Sequence, residues 1–416
     1  MLKNIKQKTY SLLRRSEKYT KTDMVYLTKG GSWLTAGNMV TAICSFLIAL
    51  VFANLLPKET YGIYRYILSI ASLLAIPTLA GIDTAIVQAV SRGYEGSLVR
   101  GLKTKIRWGI LAGLASIGLA GYYYLNDNIA LTISFLIIAG FLPLMDSFGI
   151  YNSFLVGRKL FNTKAKYSSL VHIFSAAALM ATLFLTKNLF LILLVYFISY
   201  TLFRSLFLTL TFKKFSPNKK EDSQTISYGK HLTLMNTVNV LASYLDRVLV
   251  FHYLGAIELA IYSFAITPPE QLKSFLKNLR FLTLPKFSTR TKEEIKKAIL
   301  QKMLKFALFI GMGIAIYIFL APYFYKIFFP QYIDSVFYSQ IFAISLITAI
   351  SILPTTALQS QMAKKQLYQL NIYSSLLQII LLFLFIYFYG LLGIILARLI
   401  WRFTNLAIAC WLVKKI

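Results

Sequence analysis

Glu270, Lys273, Lys277 and Arg280 sit at i, i+3, i+7 and i+10 of an otherwise apolar run. On a helix turning 100° per residue they fall within an arc of about 80°. Three cations and one anion on a single stripe are suited to electrostatic capture of an anion. They are costly inside a bilayer unless they face a wet or ion-paired cavity. Ser263, Thr267 and Ser274 lie close to the same face. Counted from Leu259, Lys273 is roughly 21 Å into a hydrocarbon core about 30 Å thick, too deep to snorkel readily.

Five further cations lie inside apolar runs: Arg65, Arg204, Arg247, Arg398 and Arg402. Arg247 follows Asp246 on a segment whose polar stripe also holds Asn236, Asn239 and Ser243, and Asn38 occupies the corresponding position of an earlier segment. Arg65 and Asp83 are 18 residues apart, five helical turns, and share a face if Pro77 bends the helix only mildly. Plainer roles stand beside these. Lys277 and Arg280 are near enough to the interface to snorkel, and Asp246-Arg247 can satisfy a neighbouring helix. Arg398 and Arg402 suit packing or lipid-head contacts. Asn, Ser and Thr on such helices often just bond across an interface.

These side chains need apolar helices to hold them. Of the 416 residues, 57% are hydrophobic and only 14% charged, against nearer 25% charged in soluble domains. Twelve spans are expected, at about 33–55, 61–90, 108–125, 129–156, 167–186, 189–212, 229–254, 259–284, 304–321, 335–362, 367–388 and 391–413. If the spans alternate, one side receives 33 of the 44 Lys/Arg and the other only Lys58, Lys187 and Lys326. This bias puts both termini in the cytoplasm and accounts for the net charge of +29 with no nucleic acid. The two cysteines, both in apolar runs, and the three scattered histidines form no metal or disulfide pattern.

The chain also repeats itself. A shift of 198 residues lays Gly31 on Gly229, Asn38 on Asn236 and Tyr64 on Tyr262, with ten identities in a 34-residue overlap. The expected organisation is a basic arm (1–29), an N-lobe (30–212), a polar cytoplasmic linker (213–228) and a C-lobe (229–416). Six spans per half make the halves parallel, with the repeat axis along the membrane normal. The fold class is thus all-α and polytopic, twelve helices in two pseudo-symmetric six-helix lobes around a central cleft. A cleft with more cations than anions implies an anionic substrate.

The run Leu55-Leu56-Pro57-Lys58-Glu59-Thr60-Tyr61-Gly62-Ile63-Tyr64 resembles the turn of polysaccharide-transport proteins of the multidrug/oligosaccharidyl-lipid/polysaccharide (MOP) exporter superfamily. Leu79 to Ala85, Asp246 to Val250, Glu258 to Ala265 and Leu284-Pro285-Lys286 carry the same resemblance, which is similar to Wzx-type O-antigen flippases. It implies movement of an undecaprenyl-pyrophosphate-linked oligosaccharide, an O-antigen or capsule repeat unit, from the cytoplasmic to the periplasmic leaflet of a bacterial inner membrane by alternating access. The partners implied are that lipid-linked glycan, membrane lipids, and glycan polymerase and assembly proteins. Lys273, Lys277 and Arg280 would hold the pyrophosphate first, and Arg247 and Arg65 would receive it. Asn38, Asp83, Asn236, Asn239, Asp246 and Glu270 would line the cleft or couple a cation. No P-loop is present, so no nucleotide or other cofactor is expected. The drive would be a proton, a sodium ion or the membrane potential, which offers roughly 5 kcal/mol per 100 mV to two negative charges. The chain would not be an enzyme. Alternatives are a lipid-linked peptidoglycan-precursor flippase, a multidrug exporter of the same superfamily, and a membrane glycan polymerase or ligase.

Overall fold

A computed structural model describes residues 24–277, 292–361 and 363–415. The N-terminal arm therefore lies mostly outside the described residues. Helices dominate: α1 (Met24–Leu55), α2 (Lys58–Leu74), α3 (Gly81–Ser91), α4 (Ser97–Leu125), α5 (Ile129–Phe148), α6 (Tyr151–Gly157) and α7 (Phe161–Leu185) come first. Then follow α8 (Leu189–Phe215), α9 (Thr225–Leu254), α10 (Ala256–Lys277), α11 (Lys292–Phe328), α12 (Ser335–Ile344), α13 (Ile352–Ser360) and α14 (Lys364–Lys414). Among the described residues no strand occurs.

Among the described residues, eight helices are long and apolar enough to cross a membrane, or nine if the bent pair α2–α3 is one span. The span Lys365–Val413 is two segments meeting at Gly390, whose φ of 53° breaks α14. The expected spans over α9 and α10 are helices too, but they are not among those long and apolar enough by this measure. The protein is an all-α, multi-pass membrane protein.

Polar turns place the helix ends. Asn128 caps α5 by accepting from the Leu131 N–H at 3.0 Å, and Asn188 caps α8 through the Phe190 N–H at 2.9 Å. Gly255, at φ 93°, lets α9 stop and α10 begin one residue later. The second expected span is not a mildly bent helix. A 3-10 turn at Ile76–Thr78 and a left-handed Leu79 (φ 61°) separate α2 from α3, with a bend of 41°. The face that would join Arg65 to Asp83 is broken there.

The helices form two compact units. One comprises Ala36–Ser263 with Phe329–Gln331; the other draws on Met1–Thr35, Phe264–Phe328 and Tyr332–Ile416. This division by compactness runs through α10, whereas the sequence repeat divides the chain at the linker. In the first unit α9 crosses α3 almost backbone to backbone. A Cβ added to Gly81 would lie 2.4 Å from the Gly229 carbonyl oxygen, and the Gly81 N–H donates to Thr233 Oγ1 at 3.0 Å. Around α3 the core holds Ile82, Ile86, Phe154, Leu155 and Phe207.

Gly62 on α2 is closer still, since a Cβ there would meet the Ala256 carbonyl oxygen at 1.8 Å. That atom is backbone and cannot swing aside. Gly62→Ala is therefore expected to cost about 1–3 kcal/mol, toward the upper end, by overpacking. Melting of the purified protein in detergent reads the cost; an unchanged midpoint would show that α2 and α10 separate without penalty.

Candidate functional site

The charged residues buried among the helices fall into separate clusters, each within one unit. In the first unit Arg65 on α2 and Arg247 on α9 both act electrostatically on the hydroxyl of Tyr61, itself buried. The helices that carry them are packed by Tyr66 stacking on Phe251, with ring centroids 3.9 Å apart. The Arg247 guanidinium lies 5.4 Å from the Tyr244 ring centroid. Among the described residues, Arg65 Nε is buried and makes no hydrogen bond. The resemblance grouped these two arginines as receivers of the pyrophosphate, and the fold brings them to one tyrosine.

Asp246 is buried, and Tyr262 donates its hydroxyl proton to Oδ2 at 2.5 Å while the Arg247 N–H donates to Oδ1 at 2.8 Å. Tyr262 is the residue that the 198-residue shift aligns with Tyr64. Asn38 and Asn236, aligned by the same shift, are both exposed on their helices. Asn239 donates to Asn236 Oδ1 at 3.4 Å, one turn along α9.

Asp83 has partners that the sequence reading left out. Lys105, expected in a cytoplasmic loop, is 1% exposed on α4. Its ammonium donates to Asp83 Oδ2 at 2.8 Å and lies 3.8 Å from Asp146 Oδ2 on α5. Thr78 donates to Asp146, and Ser153 donates to Asp83 Oδ1 at 3.4 Å. Two carboxylates around one ammonium leave a formal charge of −1. Asp83 thus closes a buried ion cluster rather than continuing a stripe from Arg65.

The second unit holds the opposite arrangement. Glu270 on α10 takes the guanidinium of Arg398 on its Oε1 at 2.7 Å, and that of Arg402 on the same oxygen. Arg402 also donates to Ser345 Oγ at 2.7 Å. Both guanidiniums lie on the Phe342 ring, 4.9 Å and 4.5 Å from its centroid. Lys273, one turn beyond Glu270 and half-buried, adds a third positive potential at the carboxylate. Lys277 ends the described helix with its side chain outside the described residues, and Arg280 lies outside them altogether.

Reading Arg398 and Arg402 as packing residues overlooked a signal in the repeat. Arg402 follows Arg204 by the same 198 residues. Each arginine reaches from a late helix of its half to an earlier one, Arg204 to the Met145 carbonyl at 2.8 Å and Arg402 to Ser345.

On the loop side of the first unit, the polar linker is fastened down. Glu95 receives Arg158 in a two-pronged contact of 2.5 and 2.6 Å and accepts the Asn218 N–H at 2.9 Å. The Gly96 N–H donates to the Lys220 carbonyl at 2.9 Å, and Arg92 pairs with Asp222. The Arg158 hydrogen bonds hold the Glu95 carboxyl below its ordinary value, helped by the Asn218 N–H and opposed by burial. A depressed carboxyl stabilises above its ordinary value, near 4.5, and that contribution is lost as pH falls through the folded value. Protection of the Asn218 amide, its exchange rate relative to the intrinsic rate at each pH, should therefore fall as acid protonates Glu95, and should be reduced without that acid step in Glu95→Gln. A protection factor independent of pH in the wild type would remove Glu95 as the fastening.

Among the described residues no group of three His, Cys, Asp or Glu side chains is placed to hold a metal ion. Residues 27–277, more than half the chain, match the family described as polysaccharide biosynthesis protein. The chain belongs to that family. The uncharacterized membrane protein MJ1068 of Methanocaldococcus jannaschii is 20% identical over 322 residues, 69% of this chain. The chain spans 64% of the length of that curated relative.

Among solved structures the family member resembles lipid II flippase MurJ in an inward closed conformation, with a TM-score of 0.66 at 15% identity, over 92% of this chain and 87% of that one. It resembles an outward-facing multidrug resistance MATE transporter of the MOP superfamily equally in TM-score, 0.66, at 11% identity over 94% of each chain. A MOP superfamily transporter from Pyrococcus furiosus, described by the reverse polarity of its binding pocket, gives 0.64 at 12% identity, over 94% of this chain and 95% of that one. At these identities the likeness establishes the fold alone, the one these three structures share.

Proposed function

We propose that this protein is a flippase that carries a polyprenyl-pyrophosphate-linked oligosaccharide, an O-antigen or capsule repeat unit, from the cytoplasmic to the periplasmic leaflet by alternating access. The observation that carries the reading is the excess of cations held inside apolar helices: Arg65 and Arg247 at Tyr61, and Lys273 with Arg398 and Arg402 at Glu270. An anionic head group crossing the membrane needs such sites, and a cationic drug would be repelled by them. Family membership and the MOP fold support a transporter rather than an enzyme. Both termini are proposed to be cytoplasmic from the Lys/Arg bias, in a bacterial inner membrane.

Lys273 and Lys277, with Arg280, are the proposed entry site, and Arg65 and Arg247 the site of release. Cation coupling would use Asp83 rather than Asp246 or Glu270. Its cluster with Asp146 carries the surplus negative charge, whereas Glu270 is outnumbered by cations. The test is to delete the gene and measure lipid-linked repeat units on each leaflet. Accumulation on the cytoplasmic leaflet, reversed by the restored gene, is expected. Accumulation of lipid-linked peptidoglycan precursor instead would replace the proposed substrate, and no accumulation of either would end the reading.

A further inference from the structure

Glu270 has an unusual place in its cluster. The side chains of Arg398 and Arg402 are only 10% and 4% exposed, while that of Glu270 is 33% exposed. The carboxylate is therefore the outer member, covering two guanidiniums behind it. Both guanidiniums meet Glu270 at one oxygen, Oε1, and each is a planar fork of the shape that suits carboxylate and phosphate oxygens. Phe342 and Ser345 fix the forks from behind, through the ring contacts and the 2.7 Å hydrogen bond to Ser345 Oγ. Lys273 stands one turn further along α10 and acts on the same carboxylate. Taking two arginines out of water for one carboxylate is a poor route to stability, since well-packed apolar residues usually serve as well or better.

The geometry points to an anion subsite made of Arg398, Arg402 and Lys273, with Glu270 as its resident anion. This rests on the flippase reading only for the identity of the natural ligand, a diphosphate. Between ligands the Glu270 carboxylate fills the site. When a phosphate-class dianion arrives, the carboxylate swings outward on its two-methylene side chain, and the guanidinium forks take phosphate oxygens in its place. Glu270 thereby keeps the cations neutralised and oriented between ligands, and it weakens binding enough for the ligand to leave.

The probe is inorganic pyrophosphate, and the protein is the full chain in neutral-lipid nanodiscs, assayed by calorimetry at low salt. Glu270→Gln removes the resident anion and should tighten pyrophosphate binding by about tenfold or more, as expected for the loss of a like charge at contact distance. Arg402→Gln or Arg398→Gln, each added to Glu270→Gln, should take back part of the gain, and both together all of it. Equal or weaker binding by folded Glu270→Gln overturns the proposal, as does a gain that survives loss of both arginines.

If Glu270→Gln does not fold, Glu270→Gln/Arg398→Gln removes one charge of each sign and should still bind more tightly than wild type. Failure of both variants to fold would make Glu270 a structural partner and also overturn the proposal. The flippase reading fails separately. Tighter pyrophosphate binding with no leaflet accumulation in the gene deletion would keep the subsite and dismiss the lipid-linked glycan.

Discussion

Lys105→Met should lose most of the folded protein, with a larger effect than any single replacement of its partners. The ammonium is buried and sits 2.8 Å from Asp83 and 3.8 Å from Asp146, so its removal leaves two carboxylates facing one another among apolar helices. Removing one partner of a buried ion pair typically costs about 3–5 kcal/mol. Because both carboxylates are about a third exposed, the lower end, about 3 kcal/mol, is expected here. Asp83→Asn should be milder, since it brings the cluster from −1 to neutral and leaves Lys105 with Asp146.

The informative variant removes all three charges. Lys105→Met/Asp83→Asn/Asp146→Asn should recover much of the lost stability, because the penalty lies in uncompensated charge rather than in lost volume. Melting midpoint and yield in detergent give the ranking. A Lys105→Met protein as stable as wild type would mean that water reaches the cluster freely. A triple variant worse than Lys105→Met would mean that packing, not charge, sets the cost.

This cluster also shows why part of the site was hidden in the sequence. Lys105 follows Arg92, Arg100 and Lys103, and charge counting alone assigns such a run to a loop. The helix in fact starts at Ser97, so Lys105 is already two turns inside α4. Its partners lie 22 residues before it and 41 after it, on helices whose adjacency no periodicity reveals.

The reverse holds for α10, where Glu270 and Lys273 are one turn apart and their common face follows from helical geometry. The repeat was legible in the same way: the 198-residue shift aligns Tyr64 with Tyr262 in the sequence, and it extends to Arg204 and Arg402. The face expected to join Arg65 to Asp83 was lost for a local reason. A proline in a span reads equally as a gentle bend or a break, and the left-handed Leu79 that decides the matter has no signature in residue type. The tying of the linker by Glu95 and Arg158 was likewise invisible, because contacts between loops 63 residues apart leave no pattern.

Lys273→Ala should insert and fold as the wild type does, yet lose transport by about tenfold to a hundredfold, the worth of one charge-assisted phosphate contact of roughly 1.5–3 kcal/mol. Two roles compete for Lys273. If it only neutralised Glu270, replacing both by neutral residues would restore transport. The structure argues against that outcome, because Arg398 and Arg402 already hydrogen-bond Glu270 and supply it with counter-charge besides Lys273. Glu270→Gln/Lys273→Ala should accordingly remain below Glu270→Gln in transport at equal protein level. Lys273→Arg should retain more activity than Lys273→Ala, since it keeps the charge while changing the hydrogen-bond geometry. The measurement is appearance of the lipid-linked repeat unit in the outer leaflet, normalised to membrane-inserted protein. Full transport by Lys273→Ala would remove the lysine from the substrate path, and restoration by the double replacement would reduce it to a counter-charge for Glu270.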